Sequence, residues 1–163
     1  MSETDKLLQN AEAYAERFDR GHLHGAPAKK VTVVACMDAR VIPTRILGLE
    51  EGDAHVIRNA GGVVSDDAIR SIAISQKLMG TNEIVLLHHT DCGMLAFTGE
   101  HLKERLRGSA GEEPPWPVHA FSDLEGDLRE SIRRLEESPF IPNKGSIRGF
   151  VYEVESGRLR EVT

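Results

Sequence analysis

Only two cysteines occur among the 163 residues. The segment Met1–Asn10 places charges where a signal peptide would need an apolar core, so a cytoplasmic location is expected. Cys36 and Cys92 are then read as reduced thiols or metal thiolates rather than as a disulfide. Long apolar runs are absent as well, and nothing approaches the ~20 consecutive residues of a membrane span. Basic clusters are missing too. With a formal charge of -6 and no long run of Lys or Arg, the chain lacks the electrostatic footprint of a protein whose main partner is nucleic acid. No internal repeat and no low-complexity tract interrupts it. The length suffices for one core, so residues 1–163 are read as a single domain.

What remains is an alternation of short apolar runs with helical patterns, which predicts an α/β fold. Leu7, Leu8, Ala11, Tyr14, Ala15 and Phe18 recur at helical spacing and predict an amphipathic N-terminal helix ending before Gly21. A linker follows, Gly21 to Lys30. Strands are expected at Val31–Cys36, Ala54–Arg58 and Glu83–His88, with a helix over Asp66–Met79. Asp66 and Asp67 suit that helix's first turn, and Gly80 its end. A further helix is expected from just after Gly93 through Arg107, then a surface loop over Gly108–Pro117. Leu124, Leu128, Ile132 and Leu135 mark another helix, stopped at Ser138-Pro139. The alternation of Ile147–Val154 and the turn at Ser156-Gly157 predict a C-terminal edge hairpin returning through Val162.

Both cysteines sit where apolar runs end. Cys36-Met37-Asp38-Ala39-Arg40 follows Val31–Ala35, and His89-Thr90-Asp91-Cys92-Gly93 follows Ile84–Leu87. Such runs read as buried parallel strands, and two neighbouring strand ends would bring Cys36, His89 and Cys92 together. That Cys2His set is one zinc accepts with a fourth position left for water, and Asp38 is close enough to compete for that position. Two thiolates cancel the ion's charge, so the pKa of a water held there should lie above the ~7 of a tris-histidine site. Asp38 either closes the site or turns away to pair with Arg40, whose guanidinium fork matches a carboxylate. His88 points to the opposite face of its strand from His89 and is expected to pack or hydrogen-bond rather than ligate. His22, His24, His55, His101 and His119 are read as solvent or loop histidines, and Trp116 as a loop anchor among prolines. Gly61-Gly62 suits a tight turn and a close backbone approach.

Taken together, Cys36-x-Asp38-x-Arg40, His89-x-x-Cys92-Gly93, Arg58-Asn59-Ala60-Gly61-Gly62 and the helix opening Asp66-Asp67-Ala68-Ile69-Arg70-Ser71 resemble the β-class carbonic anhydrases, in their compact, plant-like branch. The likeness runs from about Val31 to Phe97. It implies a mostly parallel central sheet of about four strands flanked by helices. It implies one zinc ion per chain on Cys36, His89 and Cys92, with Asp38 and Arg40 as the dyad that opens the fourth position. It implies that the Gly93 N–H binds bicarbonate and that the activity is reversible hydration of CO2 to bicarbonate and a proton. It also implies a homodimer or a multiple of dimers, with residues 1–20 packing across the partner. Ala39 stands where many relatives carry Ser. Neither the residues after Arg40 nor Gln9 and Gln76 match the family's regulatory or pocket motifs.

Two other functions fit the same donors. One is hydrolysis of carbonyl sulfide or carbon disulfide by the same attack on a linear electrophile. The other is a non-catalytic zinc-stabilised interaction or sensor domain, in which Asp38 permanently completes a closed tetrahedron.

Overall fold

The computed structural model describes all 163 residues. Five strands, β1 (Val31–Cys36), β2 (Ala54–Asn59), β3 (Glu83–His89), β4 (Ile147–Tyr152) and β5 (Leu159–Val162), form one sheet in the order β2-β1-β3-β4-β5. The first four run parallel, and β5 returns antiparallel to β4 as the edge hairpin. Helices α1 (Glu3–Ala15), α2 (Pro43–Leu47), α3 (Asp66–Met79), α4 (Gly99–Ala110) and α5 (Leu124–Glu137) complete the chain.

The central strands are apolar almost throughout because both faces are covered. Alternate residues divide between two cores. Val34, Leu86 and Val151 pack with Ile72 of α3 and with Leu128 and Leu135 of α5. Val33, Ala35 and Leu87 pack on the opposite face with Val41. The same alternation sends His88 and His89 to opposite faces, and it is His89 that the strand end brings to the two cysteines.

Capping fixes α3 at both predicted ends: the Ser65 hydroxyl accepts from the Ala68 N–H, and Gly80 closes the helix in the left-handed region at φ 74°. The helix predicted from Gly93 does not form as one piece. A single 3-10 turn, Gly93–Leu95, comes first, and α4 starts only at Gly99, where the Thr98 hydroxyl accepts from the His101 N–H; it ends at Ala110. The short α2 was not foreseen, since its five residues carry no readable period. β4 stops at Tyr152 rather than Val154 because the Glu153 N–H donates to the Arg158 carbonyl and begins the hairpin turn.

One histidine departs from expectation. His55 lies within β2, not in a loop; its Nδ1 is 2.7 Å from Ser75 Oγ and its Nε2 3.2 Å from the Gly25 carbonyl. Ser75 belongs to a buried hydroxyl cluster with Thr32 and Thr81, so the imidazole is held as part of a polar knot under the sheet. No residue of α1 is buried. Leu7, Leu8 and Tyr14 are 65%, 60% and 51% exposed, and the Tyr14 hydroxyl donates to Glu51 at 2.6 Å. No helix is long and apolar enough to cross a membrane.

Candidate metal centre

β1 and β3 are adjacent and parallel, so their carboxyl ends meet. Cys36 closes β1, His89 closes β3, and the turn after β3 returns Cys92 to them; one ligand atom from each lies within 4.8 Å of the others, and all three residues are buried. The turn is tight enough to hold Asp91 at φ 54°. The chain leaving β2 passes directly over this junction. A Cβ on Gly62 would stand 2.7 Å from the Cys36 nitrogen at φ 68°, so only glycine fits there. Both roles read for the diglycine, turn and close approach, are therefore filled.

The protonation states follow from these contacts. The Cys36 thiol is pulled down to about 4, chiefly because the Cys92 S–H donates to its thiolate, with burial opposing. Cys92 is pushed up by the same bond, with burial adding to the rise. His89 is turned by its Nδ1, which donates to the Thr90 carbonyl at 2.8 Å. That tautomer leaves Nε2 with a lone pair, and Nε2 is a buried nitrogen with no hydrogen-bond partner. A buried acceptor without a partner costs about 1–3 kcal/mol. A metal ion would satisfy it, and two thiolates plus one imidazole suit the borderline softness of zinc.

The Asp38 carboxylate is held by Arg40 at both oxygens. Its Oδ1 accepts from the Arg40 backbone N–H at 2.9 Å and from Nε at 3.0 Å, and its Oδ2 accepts from a terminal guanidinium nitrogen at 2.8 Å. Oδ2 also lies 3.8 Å from His89 Nε2, which makes it the dyad oxygen that faces the donors. The Arg40 guanidinium and backbone hold the Asp38 carboxyl well below the usual carboxylate range. Arg40 is itself shared with Asp91, at 2.8 Å to the carboxylate and 3.0 Å to the carbonyl.

Three participants escaped the sequence reading. Arg58 donates to the Cys36 carbonyl at 3.0 Å and the Asp38 carbonyl at 2.8 Å, clamping the segment that carries both side chains. Its place in the Arg58-Asn59-Ala60-Gly61-Gly62 run was visible, but not its reach. Asp127 of α5 pairs with His88 Nε2 at 2.7 Å, and Phe121 stacks on the same ring at 5.6 Å between centroids. His88 is thereby packed and bonded behind the strand, as expected. Trp116 is not a mere loop anchor. It lines, with Phe97, Leu102 and Val118, a cavity of about 460 Å3 that opens on Cys36, Asp38, Cys92 and Gly93. A larger concavity, about 670 Å3 between α3 and α5, holds neither cysteine nor histidine and lies away from this chemistry.

Comparison with known proteins gives a consistent result. The sequence model of the family described as carbonic anhydrase matches residues 31–112. Beta-carbonic anhydrase 1 of Mycobacterium tuberculosis is 52% identical over 163 residues, covering 100% of this chain and 99% of the relative. The carbon disulfide hydrolase of an Acidianus species is 36% identical, covering 96% and 87%. The crystal structure of carbonic anhydrase from Streptococcus mutans superposes with a TM-score of 0.93 at 43% identity, covering 100% of this chain and 99% of that one.

Proposed function

The chain belongs to the β-carbonic anhydrase family, and on that premise we infer that it is a zinc enzyme interconverting CO2 with bicarbonate and a proton. The observation that carries this reading is the buried convergence of Cys36, His89 and Cys92 around an unpartnered His89 Nε2. Zinc, when bound by these three, supplies a Lewis acid that lowers the pKa of water and so provides a nucleophile near neutral pH.

The chain's own residues do the rest. The Thr90 carbonyl keeps His89 in the tautomer whose Nε2 faces the metal position. Arg40 engages both oxygens of Asp38, so the carboxylate would not close a metal held by Cys36, His89 and Cys92, and the Oδ2 facing the donors could accept a hydrogen bond from a water there and so orient its lone pair toward carbon. Asp38 stays ionised throughout this work, since Arg40 keeps its pKa depressed. Gly93 is assigned to the substrate. A Cβ there would meet no protein atom within 4 Å, so packing does not require glycine, and the space favours an oxygen of bicarbonate at the backbone N–H.

In the non-catalytic alternative Asp38 would be a permanent fourth ligand. Both its oxygens are engaged by Arg40 instead, which favours an enzyme. The relatives named carbon disulfide hydrolases favour a test of that substrate on the same site. The deciding experiment is CO2 hydration and carbon disulfide hydrolysis by one zinc-loaded preparation. Hydration should dominate; sulfide release without hydration would reverse the assignment.

The whole chain is proposed to act as one domain, with residues 1–20 as a packing arm. The exposed apolar side chains of α1 support a homodimer or a multiple of dimers. Two free buried thiols suit the reducing cytoplasm.

A further inference from the structure

β3 delivers His89 to the cysteines from an end that is paired on one side only. Its ladder to β1 stops at the pair Ala35 and Leu87, while its ladder to β4 continues through His88 and His89 to Val151 and Tyr152. Across the gap, Cys36 is paired with Asn59 of β2. The two donor strands therefore part where their ligands must converge, and pairing between them does not set how far His89 stands from Cys36. His88 supplies a second hold. Its ring is fully buried, its Nε2 lies 2.7 Å from the Asp127 carboxylate of α5, and Phe121 stacks on it at 5.6 Å with the planes 18° apart. A carboxylate only accepts, so the Nε2–H donates to it. Phe121 packs in turn on the cluster of Cys36, Cys92 and Met94. His88 thus reaches the donors by two routes, through the backbone it shares with His89 and through a ring packed against the cysteines.

Stability does not ask for this pair. Val151, the β4 partner of His88, and Leu128, the neighbour of Asp127 on α5, both belong to the large apolar core, where a hydrophobic side chain needs no partner. The imidazole instead brings a second nitrogen, Nδ1, that is buried without a hydrogen bond. An ion pair withdrawn from water is often no more stabilising than apolar side chains of similar size, and an unpaired buried nitrogen costs more. What a charge-assisted hydrogen bond adds is direction: it fixes the depth and tilt of the ring, where an apolar contact lets the strand end slide. We propose that Asp127 is a positioning residue for the metal donors, acting through His88 to aim His89 at Cys36 and Cys92. The inference rests on the zinc reading of that centre but not on CO2 as its substrate.

Two readouts test it: zinc affinity by competition with a chromophoric chelator, and the visible absorption of the cobalt(II)-loaded protein, which reports donor geometry. Asp127→Leu removes the acceptor, and the double variant His88→Leu, Asp127→Leu removes both polar groups. The double variant should unfold at a denaturant concentration no lower than the parent. It should nevertheless bind zinc about tenfold more weakly, the low end of what losing a ligand-orienting partner costs, and alter the cobalt spectrum. Asp127→Leu should weaken zinc at least as much, and Asp127→Asn, whose amide oxygen still accepts from the Nε2–H, should retain most of the affinity. Leu128→Ala is the control: it loosens the adjacent position of α5 and should leave affinity and spectrum alone. Parental affinity and spectrum in the double variant, failure of the double variant to fold, or an equal loss of affinity in Leu128→Ala would overturn the proposal. If Asp127→Leu does not fold, the double variant decides. A parent that binds zinc without hydrating CO2 would refute the proposed function and leave this role standing; an active parent beside a double variant of unchanged affinity would refute this role alone.

Discussion

Arg40 donates to Asp38, to the Asp91 carboxylate and to the Asp91 carbonyl at once, and this sharing sets how freely Asp38 can leave. Arg40→Ala removes the partner that holds Asp38 off the metal, so turnover should fall while zinc content, measured on the same samples, stays near one per chain. The sign with pH follows. Asp38 is already ionised, its pKa depressed chiefly by the Arg40 guanidinium, so it does not titrate in the neutral range. Forming the hydroxide nucleophile releases a proton, so activity should rise with pH. Without Arg40 the loss should be greatest at low pH, where Asp38 competes best with water. An Arg40→Ala enzyme as fast as its parent at every pH would remove the dyad from the mechanism. Gly62→Ala makes a harsher demand, forcing a Cβ to within 2.7 Å of the Cys36 nitrogen at a positive φ. It should cost about 2–4 kcal/mol in denaturant unfolding and lower zinc occupancy together.

At the level of elements, stability and chemistry separate by cluster. Leu128 of α5 is fully buried in the large core with Val34 and Leu86, outside the cluster that holds Cys36 and Cys92, so Leu128→Ala should cost about 2–5 kcal/mol without changing zinc stoichiometry. A variant that lost its metal while still folded would show that the two clusters are coupled. The elements carrying the donors were legible in the sequence, because β1, interrupted only by Thr32, and β3 from Ile84 are apolar runs that end at Cys36 and at Leu87. The ligand triad, including the choice of His89 over His88, followed from the H-x-x-C spacing. What was not legible depends on long-range reach. Arg58 and Asp127 act across 20 and 39 residues of sequence, and neither carries a local signature. Trp116 lies in a proline-rich stretch with no period, so its place in the cavity wall emerges only when α4 is docked. The start of α4 was missed because Thr98 competes as a cap with the apparent continuity of the pattern after Gly93.

For the molecule as a whole, α1 is the element that its own chain does not explain. A 13-residue helix with no buried residue is marginal by itself. In the proposed dimer its exposed Leu7 and Leu8 would pack against another copy. Sedimentation at micromolar concentration should give a dimer or a multiple of it, and a Leu7→Asp, Leu8→Asp double variant should shift the mass toward monomer without unfolding the protomer. An unchanged mass would remove α1 from the interface. The central claim, that zinc on Cys36, His89 and Cys92 makes this chain hydrate CO2, is tested most directly by stopped-flow hydration with zinc quantified on the same samples. The samples are parent, chelated and re-zincated parent, and Cys92→Ser, followed from mildly acidic to alkaline pH. The account predicts a rate that rises with pH, vanishes on chelation, returns with zinc, and is absent in Cys92→Ser together with the metal. A zinc-loaded parent with no hydration above buffer, or a Cys92→Ser enzyme that keeps full zinc and full rate, would contradict it.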